Sequence, residues 1–277
     1  MNTNRQKRKS LAEETLKILD DGFFSTSSGK KITIKDIQTK AEKNTKLYRP
    51  NESDKLLETD WSTKPTFETN IYVIRDTTLN ATRKLIENGF ENTICLNFAS
   101  AKNPGGGFLG GSQAQEESIA RATGLYPTLL NASEYYQTNR NTRSCLYTDY
   151  MIYSPNVPIF KDESGENLEN LVTCSIITAP AVNAGIVRKK EAKKAHLIEN
   201  VMKIRIEKVL AIALENNHTS VVLGAWGCGV FQNNPEDIAT YFKEVISEKF
   251  PNQFENIAFA IYSNNKKILE PFYKLEN

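Results

Sequence analysis

The amino-acid sequence predicts an α/β protein in which a mixed β-sheet lies between layers of helices. Two observations carry this prediction: apolar runs of strand length alternate with segments of helical period, and two glycine-rich turns each follow an apolar run and precede a helix. The chain has 277 residues, of which 39% are hydrophobic and 25% are charged. These proportions are typical of a globular protein with a sizeable core, so the disordered and collagen-like classes are excluded.

The first 70 residues are predicted to form a mostly helical accessory segment. Residues 11–21 have apolar positions at helical spacing, KITI at 31–34 has strand character, and a second, polar helix is expected at about 35–45. Residues 46–70 are polar and are expected to be irregular. We therefore expect residues 1–70 to wrap against a larger domain.

From residue 71 the pattern changes to alternating strands and helices, and residues 71–277 are predicted to form the main domain. Its predicted strands are 71–74, 93–100, 151–160, 171–178, 218–223 and 256–263, and its predicted helices are 77–88, about 189–216 and 235–250. The strands at 151–160 and 171–178 flank a polar turn and are expected to pair antiparallel, which makes the sheet mixed.

The composition also limits the kinds of partner. The longest apolar stretches, such as 171–182, are too short to span a bilayer, and no apolar stretch of signal-peptide type follows the basic N-terminus. We therefore expect a cytoplasmic protein without a membrane partner. The net charge of +2 argues against direct binding of duplex nucleic acid, which needs a strongly basic surface. We expect a monomer.

The cysteines and histidines do not suggest a metal site. The four cysteines lie far apart without a CxxC pair, and His196 and His218 complete no zinc-binding spacing. We expect four free thiols, no metal and no organic cofactor.

Two glycine-rich segments that follow predicted strands are the strongest functional signal. The first runs from Asn97 to Gly111 and the second from Gly224 to Phe231. Glycine permits positive φ and lets a ligand approach the bare backbone, and successive amides in such turns bind phosphate. Because ligands in open α/β sheets bind outside the carboxyl ends of the strands, the two segments predict a ligand with a diphosphate and sugars on either side of it.

A nucleotide-cofactor site is the main competing interpretation of the first segment. Gly105, Gly107 and Gly110 satisfy the G-x-G-x-x-G pattern of dinucleotide-binding folds. That fold also requires an acidic residue at the end of the next strand, about 20 positions further on. Here Glu134 has the offset but lies in a helical stretch. A P-loop is excluded because no Gly-Lys-Ser/Thr follows, and the dinucleotide-binding interpretation takes second place.

The acidic residues after the first glycine segment suggest hydrolytic chemistry. Gln115, Glu116 and Glu117 open a predicted helix, in which neighbouring residues project about 100° apart, so at most one glutamate is expected to point fully into a pocket. A single carboxylate can act first as general acid and then as general base, in contrast to the opposed pair of most glycosidases. The competing interpretation is a solvated first turn, because carboxylates favour helix N-termini.

Further residues near the strand ends are candidates for the rim of the site. Phe231 suits stacking on a ribose or base as well as packing in the core, whereas Trp226 is expected to be a packing residue. The other rim candidates follow predicted strands, where an ordinary turn explains them nearly as well, and they are Ala179, Pro180, Asn183, Tyr262 and Asn264.

The segment LNFASAKNPGGGFLGGSQAQEESIARATGLYP resembles the signature of the microbial-type poly(ADP-ribose) glycohydrolases, in which a triple glycine and a short spacer precede Gln-Glu-Glu. In this chain the spacer is the seven residues Phe108–Ala114. The resemblance continues in ITAPAVNAG (177–185), LGAWGCGVF (223–231) and FAIYS (259–263), and in the N-terminal stretch up to Pro50. It therefore covers nearly the whole chain.

The resemblance implies a macrodomain-like fold, which is a three-layer α/β/α sandwich with ADP-ribose in a cleft at the strand ends. It implies that Glu117 is the catalytic acid, that Glu116 positions the ribose at the cleaved bond, and that Gln115 supports the loop. The other substrate-binding residues that it implies are Asn103, Gly105, Gly106 and Gly107 around the distal ribose and phosphates, and Gly227, Cys228, Gly229, Val230 and Phe231 around the diphosphate. Gln232 and Asn234 stand where the family pattern leads us to expect a smaller residue and an acid.

The activity that the resemblance implies is hydrolysis of ribose–ribose O-glycosidic bonds at the ends of poly(ADP-ribose), with ADP-ribose as the product. The expected partners are poly(ADP-ribose) or ADP-ribosylated macromolecules, and no metal or organic cofactor is implied. One alternative keeps the same site but removes single ADP-ribose units from protein, nucleic acid or a small ester. A second alternative, from another class, is a non-catalytic ADP-ribose-binding module.

Overall fold

The computed structural model describes residues 3–63 and 66–276, so that residues 1–2 and 64–65 of the predicted accessory segment lie outside the described part. The strands are β1 Phe23–Ser25, β2 Lys31–Thr33, β3 Lys46–Tyr48, β4 Asn70–Ile74, β5 Thr93–Phe98, β6 Met151–Lys161, β7 Asn167–Ala179, β8 Ser220–Leu223 and β9 Asn256–Ala260. The helices are α1 Thr3–Asp21, α2 Lys35–Lys43, α3 Pro50–Leu56, α4 Thr78–Glu87, α5 Gln115–Ala122, α6 Leu125–Asn131, α7 Ser133–Asn141, α8 Ala184–Lys190, α9 Ile198–Glu215, α10 Pro235–Lys249 and α11 Lys266–Tyr273.

Seven of the strands form one mixed sheet, in the order β3-β6-β7-β5-β8-β9-β4. The five strands from β7 to β4 run parallel to their neighbours, whereas β3, β6 and β7 pair antiparallel. The predicted pairing of 151–160 with 171–178 is confirmed by β6 and β7. Strands β1 and β2 form a separate antiparallel hairpin.

The sheet is covered by helices on both faces, which confirms the predicted α/β sandwich. Side chains of β5 alternate between the two cores: Ile94 and Leu96 join the core beneath α8–α11, and Cys95 joins the core beneath α4–α7. The apolar run of β5 is continuous because both faces of a central parallel strand are buried. None of the helices in the described residues is long and apolar enough to cross a membrane.

The N-terminal segment contributes to the sheet itself. The expectation that residues 46–70 are irregular is wrong, because Lys46–Tyr48 form the edge strand β3, Pro50–Leu56 form α3 and Asn70 opens β4. Strand β3 pairs with β6, and Tyr48 is buried in the main core. The conformation of β3 is fixed by its pairing with a strand distant in sequence, so the polarity of the local sequence does not reveal this strand. The division into residues 1–70 and 71–277 stays a prediction.

The helix expected at about 189–216 is divided in the structure into α8, a 3-10 turn at Ala192–Leu197 and α9. The division falls at Glu191, whose φ of −130° and ψ of 41° are not helical and whose carboxylate accepts from the backbone N–H of Cys145 at 2.7 Å. The helix that begins at Gln115 ends at Ala122, because the backbone there turns towards β6, and the N–H of Gly124 donates to the carbonyl of Pro158 at 2.9 Å.

Candidate active site

Both glycine-rich segments leave the same edge of the sheet. Strands β5 and β8 are parallel neighbours, so the loops that follow them emerge side by side. A Cβ placed on Gly224, at the start of the second loop, would lie 3.0 Å from the ring of Phe98 at the end of β5. A cavity of about 600 Å³ is lined by Phe98 at the end of β5, by Gln115 at the start of α5, and by Cys228 and Gly229 from the second segment. The second loop therefore opens on this cavity beside the end of β5, whereas Gly105–Gly107, Glu116 and Glu117 are not among its lining residues.

The first loop depends on glycine for its conformation. Gly105 and Gly106 have φ of +66° and +60°, which side-chain-bearing residues rarely adopt. The turn is closed by hydrogen bonds from the N–H of Gly106 to the carbonyl of Asn103 (2.9 Å) and from the N–H of Ser112 to the carbonyl of Gly107 (3.1 Å). This conformation brings the bare backbone of Gly106 against the first turn of α5.

Glu117 faces this loop from the first turn of α5. Its Oε1 accepts a hydrogen bond of 2.9 Å from the backbone N–H of Gly107. A Cβ on Gly106 would overlap the same Oε1 atom, so the carboxylate occupies the space that the missing side chain leaves. The interpretation of this turn as a solvated helix start does not hold for Glu117.

Glu116 lies deeper, with only 3% of its surface exposed. Its Oε2 accepts from the backbone N–H of Ser100 at 2.6 Å, and its Oε1 lies 3.4 Å from Nδ2 of Asn97. Burial, with a further contribution from the nearby Glu117 carboxylate, raises the pKa of Glu116 to about 8. Glu116 is therefore protonated at neutral pH in the free protein.

The two glutamate carboxyl groups converge on the glycine loop. A Cβ on Gly106 would lie 3.1 Å from Oε2 of Glu116 and would overlap Oε1 of Glu117. Neither glutamate lines the cavity, so the prediction that at most one points fully into a pocket stays a prediction. The carboxyl groups can approach each other because the angle between neighbouring helical residues fixes the Cβ directions only. Each glutamate has three further torsions, and Glu116 turns back towards Ser100 while Glu117 reaches Gly107.

Gln115 ties α5 to β5. Its Oε1 accepts from the backbone N–H of Phe98 at 2.8 Å, and its Nε2 donates to the carbonyl of Leu96 at 2.7 Å and to Oγ1 of Thr78 at 3.1 Å. The side chain thus satisfies two backbone groups of β5. These hydrogen bonds fix the start of α5, and with it Glu116 and Glu117, relative to strand β5.

The second loop is anchored on the turn that follows β7. Gly227 has φ of +74°. The Nδ2 atom of Asn233 donates to the carbonyl of Gly227 at 3.1 Å and to that of Val182 at 2.8 Å. Burial raises the pKa of the Cys228 thiol to about 12, so this residue is a neutral thiol in the cavity wall. Trp226 is fully buried, as expected of a packing residue.

Comparison with known proteins identifies the family. The family model described as microbial-type PARG, catalytic domain, matches residues 12–162. The chain belongs to this family. Poly(ADP-ribose) glycohydrolase (PARG) from Thermomonospora curvata is 37% identical, with a TM-score of 0.93 over 98% of this chain and 99% of that chain. The same protein bound to the inhibitor ADP-HPD is also 37% identical, with a TM-score of 0.89 over 98% of each chain.

A PARG structure from Deinococcus radiodurans, in complex with ADP-ribose, is 41% identical, with a TM-score of 0.82 over 86% of this chain and 96% of that chain. No curated protein sequence matches the chain. The resemblance recognised in the sequence is thus confirmed, and the protein is a glycosidase of the PARG type.

The remaining predicted residues of the PARG site lie at different depths. Phe231 is half-buried, and its ring centroid is 6.0 Å from that of Tyr147. Gly229 and Val230 are exposed, and 84% of the Val230 surface is accessible. Asn103 is also exposed, beside the glycine turn. The roles of these residues towards a ligand stay predictions.

The rim candidates divide into two groups. Ala179 and Pro180 are buried, and the carbonyl of Pro180 accepts from the buried Arg205 at 3.1 Å, while Asn183 caps α8. Tyr262, in contrast, is 81% exposed and lines the cavity. Asn264 lies beyond it and accepts from Arg75 at 3.1 Å.

Three kinds of residue at this site were not predicted from the sequence. Asp76 and Thr77, which follow β4, line the cavity, and their position after the first predicted strand of the main domain was an available signal. Glu163, in the turn between β6 and β7, also lines it, and burial raises the pKa of this carboxyl. The buried Asn97 and the backbone of Ser100 bind Glu116, and no sequence pattern singles them out.

No cluster of three or more His, Cys, Asp or Glu side chains suited to a metal occurs within residues 3–63 and 66–276. All four cysteines are free thiols.

Proposed function

We propose that this protein hydrolyses the ribose–ribose O-glycosidic bond at the ends of poly(ADP-ribose) chains and releases ADP-ribose, with Glu117 as general acid and base. The observation that carries the proposal is the convergence of the Glu116 and Glu117 carboxyl groups on the bare backbone of Gly106. A sugar seated on this glycine would contact both carboxyl groups, one buried and protonated and the other at the loop surface.

The substrate is proposed to span both loops. The adenosine half would occupy the cavity beside Asp76 and Tyr262, which offers apolar walls and a carboxylate. The diphosphate would lie on the backbone amides of Gly227 to Gly229, as anions do on glycine turns. The distal ribose would then lie between Gly106 and Phe231, with its C1″ carbon at Glu117.

Bond cleavage in this arrangement needs only one proton-transferring group. The carboxylic acid of Glu117 donates its proton to the departing ribose oxygen while the C1″–O bond breaks and C1″ gains oxocarbenium character. The substrate diphosphate stabilises this cation. The Glu117 carboxylate then takes a proton from a water molecule whose oxygen bonds to C1″, which restores the acid. Glu116 is proposed to hold the ribose hydroxyl groups during both steps.

The direct test is to incubate the protein with poly(ADP-ribose) and, in parallel, with a mono-ADP-ribosylated protein, and to measure free ADP-ribose. We expect ADP-ribose from the polymer, and a rate of release lower by about 10²–10⁴-fold when Glu117→Gln replaces the wild type. Release only from the mono-ADP-ribosylated protein would favour the alternative of a mono-ADP-ribosyl hydrolase. Tight binding of ADP-ribose without release from either substrate would favour the non-catalytic binding module.

The partners proposed for this activity are poly(ADP-ribose) and the macromolecules that carry it. The protein is proposed to act as a monomer, as expected from the sequence. The cytoplasmic location expected from the sequence stays a prediction.

A further inference from the structure

Asn97 is a fully buried asparagine and the penultimate residue of strand β5, which leads into the glycine loop. It pairs in register with Thr178 of β7, which is fully buried as well. Burial of an amide costs free energy unless its polar atoms form hydrogen bonds. The amide lies next to Glu116, which suggests that it supports the carboxyl group of this residue.

The amide of Asn97 is oriented by Thr178. Its Nδ2 donates to Oγ1 of Thr178 at 3.1 Å and points its other hydrogen at Oε1 of Glu116, 3.4 Å away. The Oδ1 atom is buried and has no hydrogen-bond partner among the described residues. In this orientation the amide oxygen is left unsatisfied, and both N–H hydrogens of Nδ2 are directed at acceptors. It is therefore the orientation that supports an acceptor at Glu116.

Two hydrogen bonds therefore hold the Glu116 carboxyl group, from the backbone N–H of Ser100 to Oε2 and from the Asn97 amide to Oε1, and the backbone N–H of Gly105 also lowers its pKa. The titratable groups that face it are Glu117 on α5 and the buried hydroxyls of Tyr135 and Tyr136 on α7. Both tyrosine hydroxyls are without hydrogen-bond partners among the described residues, so they do not orient the carboxyl group. The side-chain support for Glu116 comes from Asn97.

We propose that Asn97, fixed by Thr178, is a positioning residue that holds the Glu116 carboxyl group against Gly106 and Glu117. This inference rests on the proposed function, because it matters for catalysis only if Glu116 contacts the substrate. Removal of the amide leaves Oε1 of Glu116 without its side-chain donor. The ionised form of Glu116 is then less stabilised, and the carboxyl group is free to rotate away from the loop.

The experiment compares three substitutions. Asn97→Leu removes the amide at similar volume, and Thr178→Val removes the hydroxyl that orients it. Asn256→Leu is the matched control: Asn256 is a buried asparagine of the same sheet, and its Nδ2 donates to Oγ of Ser220 on the neighbouring strand at 3.2 Å. It lies at the amino end of β9, away from the glycine loops.

The first measurement is a ¹³C NMR titration of the Glu116 carboxyl carbon in the free protein, assigned with the Glu116→Gln variant. We expect Asn97→Leu to move the midpoint upwards by about one pH unit, the equivalent of one hydrogen bond to an ionised group. Thr178→Val is expected to move it in the same direction by less, and Asn256→Leu not to move it. An Asn97→Leu midpoint that coincides with the wild type would overturn the proposal.

The second measurement is the pH dependence of kcat and KM on poly(ADP-ribose), with the melting temperature of each variant as a control for folding. We expect the alkaline limb of the Asn97→Leu profile to move with the NMR midpoint, while Asn256→Leu keeps the wild-type profile. If Asn97→Leu does not fold, Thr178→Val carries the same test, and an unshifted midpoint there overturns the proposal. The NMR titration needs no turnover, so failure of the proposed function leaves it interpretable.

Discussion

The Oε1 atom of Glu117 accepts a hydrogen bond of 2.9 Å from the backbone N–H of Gly107. This bond joins the proposed acid to the loop that is expected to hold the distal ribose. The position of the carboxyl group therefore depends on the conformation of Gly105 to Gly107, and the loop in turn depends on the helix that carries Glu117. Changes in either element should appear in catalysis before they appear in stability.

Substitution of Gly106 tests this dependence. In Gly106→Ala the new Cβ would collide with the Glu117 carboxylate, and we expect roughly a 10²-fold loss in kcat on poly(ADP-ribose), as for a displaced catalytic group. The matched control is Gly89→Ala, because Gly89 also has positive φ (+94°) but its Cβ would meet nothing within 4 Å. Both variants carry a backbone strain of about 1 kcal/mol, so similar melting temperatures with unequal kcat are expected. Equal activities would contradict the predicted collision.

The protonation of Glu116 predicts how stability changes with pH. Its pKa rises from 4.5 to about 8 on folding, so the unfolded chain ionises first and the wild type loses stability as pH rises through this interval. Glu116→Gln cannot ionise and escapes this loss. Its melting temperature relative to the wild type should therefore increase from pH 5 to pH 8. Thermal melts at pH 5 and pH 8 measure this change, and Glu58→Gln, at an exposed glutamate, is the control. If the difference in melting temperature between Glu116→Gln and the wild type were the same at both pH values, Glu116 would be ionised in the folded protein.

The N-terminal helix is expected to steady the first loop. Arg8 donates from Nε to the carbonyl of Gly111 at 2.8 Å, and Arg5 does the same to Gly110 at 2.9 Å. We expect Arg8→Met to speed amide hydrogen exchange in residues 105–112 and to raise KM roughly five-fold, the equivalent of one lost hydrogen bond. The control is Lys9→Met, because Lys9 lies on the same helix and pairs with Glu13, at 3.8 Å. If amide hydrogen exchange in residues 105–112 were unchanged in Arg8→Met, the N-terminal helix would not steady the first loop.

The sequence was sufficient to predict the central strands and their loops. Strand β5 is buried on both faces, which makes its apolar run continuous, and the glycines after it are required by positive φ. Both features are local, so they are visible without a structure. The start of α10 is a local feature as well, because the side chain of Asn234 accepts from the N–H of Glu236 at 3.2 Å and caps the helix.

Features that depend on distant partners could not be predicted. Strand β3 exists because Lys46–Tyr48 pair with β6, about a hundred residues away in the chain. The direction of the Glu116 side chain is set by Ser100 and Asn97, which are 16 and 19 residues away, and not by the helix that carries it. In each case a tertiary hydrogen bond decides what the local pattern leaves open.

The most direct test of the central claim is the turnover of poly(ADP-ribose) by Glu117→Gln, measured beside its affinity for ADP-ribose. The amide keeps the size of the side chain and a carbonyl acceptor for the Gly107 N–H, but it cannot donate and retrieve a proton at C1″. We expect turnover to fall by about 10²–10⁴-fold while ADP-ribose still binds. Turnover above roughly a tenth of the wild-type value would contradict the assignment of Glu117 as the catalytic acid and base, because loss of the group that carries the proton costs at least two orders of magnitude.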